Sequence, residues 1–492
     1  MKTLSVITSG LSLLAAVFFA QRVSPPFSWI IAAAFGGFAY FALTTIRSGS
    51  KPVVRLKGFS WSREDFCRGW LITGDTGSGK TRSGITQLLY QVFQNENKWG
   101  GLCIDDKGVY WETLREMAVH FHREKDLILL QVRSEGAPSD WIPPNKFNLT
   151  SDPSIPPMAY GKFVVDAATS LGQAGDQSFF KNQAQTHIAM ALEALAEANM
   201  DVTLENAYHA LLEDDSLDDI LTFLSGRRQN DRLKTLIAHF EERYKKQPPE
   251  QMGGVKETIA NYLQPFLTPA ICDIFCPDQS TFTLNEIDHG KIICVAMPQK
   301  FQMERRYINT FLKMLFYTHV LRRFDKPKEK RQNDNLLILW ADEAQRFVTA
   351  SENGMSDYNC IDVMREARAT IVAAAQSSTS FIPPLGIEKT KVFTLNLRNR
   401  MIFKAADEQG AIESADFLGQ KTIKKRSWGY SNGMMSRSYT EQEEHKIKAH
   451  QLRNLRKHET ILVHCEKGFE KTVLPPLEPN GKIAPWFRRS WF

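Results

Sequence analysis

Eight residues, Gly74-Asp75-Thr76-Gly77-Ser78-Gly79-Lys80-Thr81, restrict what this chain can fold into more than any other stretch. The apolar run Trp70-Leu71-Ile72-Thr73 precedes them and reads as a buried strand. Thr81, Ile85, Leu88, Leu89 and Val92 follow at the spacing of one helix face. A glycine-rich turn between a buried strand and a helix, with the pattern G-x-x-x-x-G-K-[ST], is a phosphate-binding loop. Its glycines let backbone N–H groups curl around phosphate oxygens, and the positive end of the next helix faces the same anion. Lys80 is expected to reach the β- and γ-phosphates of ATP, and Thr81 to ligate Mg²⁺.

A second stretch complements the first. Leu336-Leu337-Ile338-Leu339-Trp340-Ala341 is an apolar strand that ends in Asp342-Glu343. Asp342 is expected to hold Mg²⁺ through water, and Glu343 to polarise the attacking water. That acid pair argues for ATP hydrolysis over a kinase or GTPase. Thr370-Ile371-Val372-Ala373-Ala374-Ala375 is another strand, and Gln376 at its end is placed to sense the γ-phosphate; an ordinary polar strand end reads the same way. Just upstream, the spacing of Arg365 and Arg368 predicts one helical face. Such arginines either reach a neighbouring subunit's phosphates or form surface ion pairs. Gly101 to Asp105 predicts a further parallel strand ending in Asp106-Lys107-Gly108, which is either part of the ligand-binding edge or a plain strand-to-helix turn.

A net charge of +6 over 492 residues permits a nucleic-acid partner without demanding one. The seven cysteines are scattered; Cys272 and Cys276 form the one close pair and lack the companions of a zinc site, so all seven read as small apolar residues or free thiols. Residues 3–20 and 27–46 are uncharged and each near the length of a bilayer span. They predict a transmembrane hairpin. A cleaved signal peptide is the weaker reading, because Phe18 stands where a small residue is needed; a buried helical hairpin is the other. Lys2 precedes the pair, and Arg47, Lys51, Arg55 and Lys57 follow it, so both ends and the large domain are expected in the cytoplasm.

Leu127 to Val132 predicts a third strand. From about 159 to 246 the pattern is helical. Phe180, Ala184, Ile188, Leu192 and Leu195 share one face, Ser216 is a candidate cap, and Pro248-Pro249 is expected to close the block. An acidic patch, Glu213 with Asp214, Asp215, Asp218 and Asp219, is a solvated face or a docking surface. Lys291 to Pro298 resumes the sheet, and an amphipathic helix runs through Phe311, Leu312, Met314, Leu315 and Leu321. Further on, Met401 to Phe403 is a strand and Ala411 to Leu418 a helix closed by Gly419. Lys424 to Tyr439 predicts a hairpin turning at Asn432-Gly433; its basic and aromatic residues suit nucleic acid or simply guard a sheet edge. Thr460 to Val463 and Glu470 to Val473 form a terminal strand pair. The expected division is a hairpin at 1–50, a first ATPase segment at 51–158, an all-α insert at 159–250, and a second ATPase segment at 251–492.

This order of features resembles the coupling-protein ATPases of type IV secretion and bacterial conjugation. The resemblance rests on the hairpin, Gly74 to Thr81, the strand end Asp105-Asp106-Lys107-Gly108, the helical insert, Leu336 to Glu343, Ala375-Gln376-Ser377 and the terminal strand pair. It implies an α/β fold of the RecA-type P-loop NTPase class, a homo-hexamer around a channel, and a place at the bacterial inner membrane. It also implies DNA, relaxase or effector proteins and secretion-channel subunits as partners. By the same resemblance Arg365, with Arg368 second, completes a neighbour's ATP site. The chain departs from the family's D-P-K-G-E pattern, with Asp106 in place of Pro and Val109 in place of the acid, and shows no long acidic or proline-rich C-terminal tail. A double-stranded DNA pump outside secretion and a non-motor substrate receptor are the competing functions.

Overall fold

The computed structural model describes residues 51–490, apart from 139, 173–177, 352–353 and 432–433. The expected hairpin over 3–20 and 27–46, and the turn at Asn432-Gly433, lie outside the described residues. No helix among the described residues is long and apolar enough to cross a membrane.

Residues from Val54 onward form one compact unit around a nine-stranded sheet. After a small hairpin, β1 (Val54–Leu56) and β2 (Phe59–Trp61), come β3 (Trp70–Thr73), β4 (Gly100–Asp105) and β5 (Leu127–Gln131). The sheet continues with β6 (Ile292–Ala296), β7 (Leu337–Asp342), β8 (Ala369–Ala375) and β9 (Asn399–Ile402). A separate ribbon, β10 (Gln420–Ser431) with β11 (Met434–His445), precedes β12 (Glu459–His464) and β13 (Gly468–Val473). The order across the sheet is β13-β12-β9-β3-β8-β7-β4-β6-β5. Strands β9 through β5 run parallel, while β12 and β13 close one edge antiparallel.

The central strands are continuous apolar runs because both faces are covered, as parallel sheets require; every residue of β3, β4, β6, β7 and β8 is buried. Edge strand β5 instead alternates buried and half-buried positions.

Helix α1 (Thr86–Asn95) follows the phosphate loop, and α2 (Tyr110–His120) follows β4. Between β5 and β6 the chain is helical: α3 (Pro157–Ser170), α4 (Ser178–Glu197), α5 (Leu204–Leu212), α6 (Asp214–Gly226), α7 (Asp231–Ala238), α8 (Pro249–Leu267) and α9 (Pro269–Phe275). Two local expectations change here. Pro248-Pro249 opens a helix, with Pro249 in its first turn, where a missing N–H costs nothing; the helical stretch therefore continues to Phe275. Ser216 is not a cap, because α6 starts two residues earlier with Leu217 N–H already bonded to the Glu213 carbonyl at 3.3 Å.

Helix α10 (Gln302–Leu321) joins the sheet to these helices. It is buried nearly all round, beyond the single apolar face its spacing suggested. Phe311 explains why: its ring meets Phe163 of α3 at 5.7 Å and Phe266 of α8 at 5.9 Å between centroids. One apolar cluster runs from Leu102 and Ile104 of the sheet to Leu192 and Leu195 of α4. Beyond β8 come α11 (Ile387–Asn396) and α12 (Glu408–Leu418), the latter ended by Gly419 at φ +84°.

Candidate nucleotide site

The loop from Gly74 to Thr81 leaves β3 at the carboxyl ends of the parallel strands, the edge where such sheets take ligands. Its backbone is tied at both ends. Gly74 N–H donates to the Gln376 carbonyl at 3.1 Å, and Asp75 N–H to the Lys404 carbonyl at 2.7 Å. Ser78 N–H returns to Asp75 at 3.1 Å, closing the turn. Asp75 Oδ1 accepts from Thr76 N–H at 2.7 Å. Gly79 sits at φ +105°, a conformation closed to other residues, and a Cβ there would come within 2.5 Å of His458 Nδ1. From Lys80 the chain winds in a wide turn to Ile85 before α1 begins.

His458 forms the floor of the loop. Its N–H donates to the Ser78 carbonyl at 2.9 Å, and Nδ1 meets Ser83 Oγ at 2.8 Å. Burial, with the neighbouring Lys457, pushes its pKa down to about 4, so the ring is neutral at pH 7. Nothing in the sequence pattern marked this residue.

Across the cleft, β4 and β7 pair in register with Asp105 beside Asp342. Asp342 is buried, and Oδ1 accepts from the Glu343 N–H at 3.0 Å. Burial pushes its carboxyl up to about 6, against the pull of Lys80 and with added repulsion from Glu343. Glu343 lies just past the strand in the left-handed region at φ +54°, a strained backbone for a glutamate. Side-chain contacts hold it there: Lys80 Nζ to Oε1 at 3.1 Å, and Gln345 Nε2 to Oε2 at 2.7 Å. Burial would raise the Glu343 carboxyl, yet Lys80 and Gln345 outweigh it and hold the group below the ordinary value.

The strand end at Asp105 divides its labour. Asp105 Oδ2 accepts the N–H groups of Val109 and Tyr110 at 3.0 and 3.2 Å, so it seats the start of α2. Asp106 takes a two-pronged contact from Arg306, Nε at 2.6 Å and Nη2 at 2.9 Å, and its carbonyl is bonded by Arg305. Lys107 is left exposed and lines the cleft. Asp106 thus holds Arg306 of α10 through its carboxylate and Arg305 through its backbone carbonyl.

The cleft encloses about 310 Å³, at the lower end of small-ligand sites. Gly77, Gly79, Lys80 and Thr81 line it together with Lys107 and Glu343. The structure therefore brings together the loop, Asp342 and Glu343. Gln376 is exposed at the end of β8, beside the loop its carbonyl supports. Arg365 is not brought to this cleft. It precedes β8, whose seven residues separate it from Gln376 by about 23 Å. Nor do Arg365 and Arg368 share a helix face. Met364 to Ala367 is a single tight turn, and Arg368 breaks out of it at φ +56°, bonding the Asp334 carbonyl at 3.1 Å. Arg365 is exposed, and no partner holds its guanidinium among the described residues.

A magnesium ion fits the donors present. Asp342 is a buried carboxylate at the end of β7, its carboxyl pushed up by burial, and Thr81 lines the cleft in the loop beside Lys80. No group of three His, Cys, Asp or Glu side chains suited to a metal occurs among the described residues. Mg²⁺ in such sites relies on one or two protein ligands, with water and phosphate for the rest. The seven cysteines are free; six are buried and Cys465 is half-buried.

Comparison with known proteins bears on the whole arrangement. The model of the type IV secretion-system coupling protein DNA-binding domain matches residues 354–473, the part that carries β8 to β13. The bacterial conjugative coupling protein TrwB, in its unbound monoclinic form, is similar over 89% of this chain and 91% of its own, with TM-score 0.62 and 13% identity. TrwB in complex with ADP and Mg²⁺ is similar over 89% and 94%, with TM-score 0.60 and 13% identity. TrwB with the ATP analogue ADPNP is similar over 87% and 90%, with TM-score 0.60 and 14% identity. No curated protein sequence matches the chain. The chain has the fold of the conjugative coupling protein TrwB, and its residues 354–473 match the type IV secretion-system coupling protein DNA-binding domain.

Proposed function

We propose that this protein is a membrane-anchored ATPase that drives DNA, or a protein–DNA conjugate, into a type IV secretion channel. The observation that carries the reading is the Lys80–Glu343 pair, held at 3.1 Å between the phosphate loop and the end of β7. A triphosphate entering the loop competes for Lys80, and that exchange frees the Glu343 carboxylate to accept a proton from water. Glu343, held below its ordinary pKa, is ionised for that task at pH 7. Thr81 and Asp342 are the residues that would hold Mg²⁺, which neutralises charge between the β- and γ-phosphates when bound. Gln376 follows β8, the strand next to β7 and β3, and in this reading passes the state of the γ-phosphate into the sheet.

The complexes of TrwB with ADP and Mg²⁺ and with ADPNP support a nucleotide at this position. The domain matched by residues 354–473 supports DNA as cargo and secretion over a pump acting elsewhere. Arg365, exposed and at the opposite sheet edge from its own loop, suits a site shared across a subunit boundary in a hexameric ring. Residues 3–20 and 27–46 would hold the ring at the inner membrane with the ATPase in the cytoplasm.

The test is ATP turnover by the full-length protein with and without DNA. Mg²⁺-dependent hydrolysis, accelerated by DNA and lost in Lys80→Ala, is expected. Binding of ATP with no turnover under either condition would favour a receptor that uses nucleotide only for assembly.

A further inference from the structure

The phosphate loop accounts for one end of the cleft. The other end is built by the segment after β13, which doubles back along α1. The Pro475 carbonyl accepts from Gln87 Nε2 at 2.7 Å, Leu477 N–H donates to the Arg82 carbonyl at 3.3 Å, and Glu478 pairs with Arg82 at 3.5 Å. Gly481 packs so tightly on Tyr90 that a Cβ would come within 2.2 Å of the ring. Ala484 N–H returns to the Pro476 carbonyl at 2.9 Å. These ties bring Trp486 to the cleft, where it lines the wall with Thr76, Arg82 and Lys457.

Two rings line this cleft among the described residues, His458 and Trp486. His458 is sealed under Gly79 at 2% exposure, whereas Trp486 is 42% exposed. The two rings lie 5.5 Å apart and tilted by 40°, so His458 packs against the indole. Lys457 Nζ stands 5.4 Å from the indole centroid. A partly exposed indole in the cleft wall, steadied by His458 and met by the flexible Lys457 side chain, has the form of a stacking platform once that side chain moves aside.

We infer that Trp486 is the plate on which the base of the bound nucleotide stacks, with Lys457 beside it. The inference rests on the nucleotide reading above. Phosphates fixed at Lys80 and Thr81 leave the ribose and base in the rest of the cleft, whose wall Arg82 and Trp486 share. An indole offers wide contact at low entropic cost, and stacking accepts any base because every base has a π-face. The C-terminal segment then has a purpose beyond covering α1: it completes the nucleotide site.

The competing account is that Trp486 only packs on His458 and steadies the loop. Titration calorimetry of the full-length protein with MgATP and with inorganic tripolyphosphate, which has no base, separates the two. In Trp486→Ala, ATP affinity is expected to fall about ten- to a hundredfold, and tripolyphosphate affinity by less than about twofold. Trp486→Leu, apolar but without a π-face, should match Ala, and Trp486→Phe should recover most of the affinity. Parallel losses of ATP and tripolyphosphate, or full ATP affinity in Trp486→Leu, overturn the stacking role. A wild-type protein that binds neither probe overturns the nucleotide reading as well.

Discussion

The loop edge of the sheet and the helices between β5 and β6 handle ionisable groups in opposite ways. At the edge, Lys80, Asp105, Asp106, Asp342 and Glu343 are all buried, and they answer one another across short distances. On the helices, most charged pairs reach solvent: Arg232 meets Glu193 and Glu197, and Lys245 meets Glu241 and Asp218, whereas Asp166 is buried beside Lys162. Two histidines are buried together there, His187 with His239, Nδ1 to Nε2 at 3.0 Å, and burial holds both rings neutral. Buried charge is costly to keep, and exposed pairs are worth little. The loop edge gathers buried charges where phosphate chemistry needs them fixed, while the helices between β5 and β6 keep most of theirs in solvent; Lys313 with Asp357, buried at α10, is a further pair away from the loop.

If this contrast is right, disturbing the edge should act on turnover, and disturbing the helices on stability. Of the residues outside the loop edge, Arg365 carries the largest effect expected on turnover. Arg365→Ala should lower ATP hydrolysis about a hundredfold or more if the guanidinium completes a neighbour's site. Mixing it with Lys80→Ala should restore part of the activity, because some boundaries then join an intact loop to an intact arginine. Co-assembled mixtures that recover nothing would end the shared-site proposal.

A middle-sized effect is expected from acid on the helices. His187 has its pKa pushed down to about 3 by burial and by His239, while the unfolded value stays near ~6.5. The unfolded chain therefore binds more protons in between. Stability is fully present above pH 6.5 and is lost as the pH falls toward the folded value. Between pH 6.5 and 5 this amounts to about 2 kcal/mol for His187 alone. Hydrogen exchange of α4 amides should show protection falling over that window. His187→Gln, which also faces His239 and Gln247 but does not titrate, should flatten the fall. An unchanged slope in that variant would shift the cause elsewhere.

The smallest effect belongs to the exposed pairs. Lys245→Ala should cost less than about 0.5 kcal/mol in urea unfolding, although Lys245 meets both Asp218 and Glu241. A loss of several kcal/mol would mean that these surface charges matter structurally after all.

How much of this was legible in the sequence follows from what each signal depends on. β3, β4, β7 and β8 could be placed because a strand covered on both faces must be apolar throughout. The loop could be read because its glycines, Lys80 and Thr81 are dictated by phosphate. Position within the tertiary structure decided the rest. Asp105 and Asp106 are identical in the sequence, yet one seats α2 and the other anchors Arg306. Arg365 and Arg368 have helical spacing, but the left-handed backbone at Arg368 separates them. His458 and Trp486 belong to the site through a chain that folds back from residues far from the loop, and no local period announces such a contact.

The account turns on Glu343 acting as the base while Lys80 holds phosphate. Glu343→Gln removes only the carboxylate, so the decisive measurement sets MgATP affinity beside single-turnover hydrolysis in that variant. The account predicts affinity within a few-fold of wild type and hydrolysis slowed by about 10²- to 10⁴-fold. Hydrolysis at the wild-type rate would contradict it.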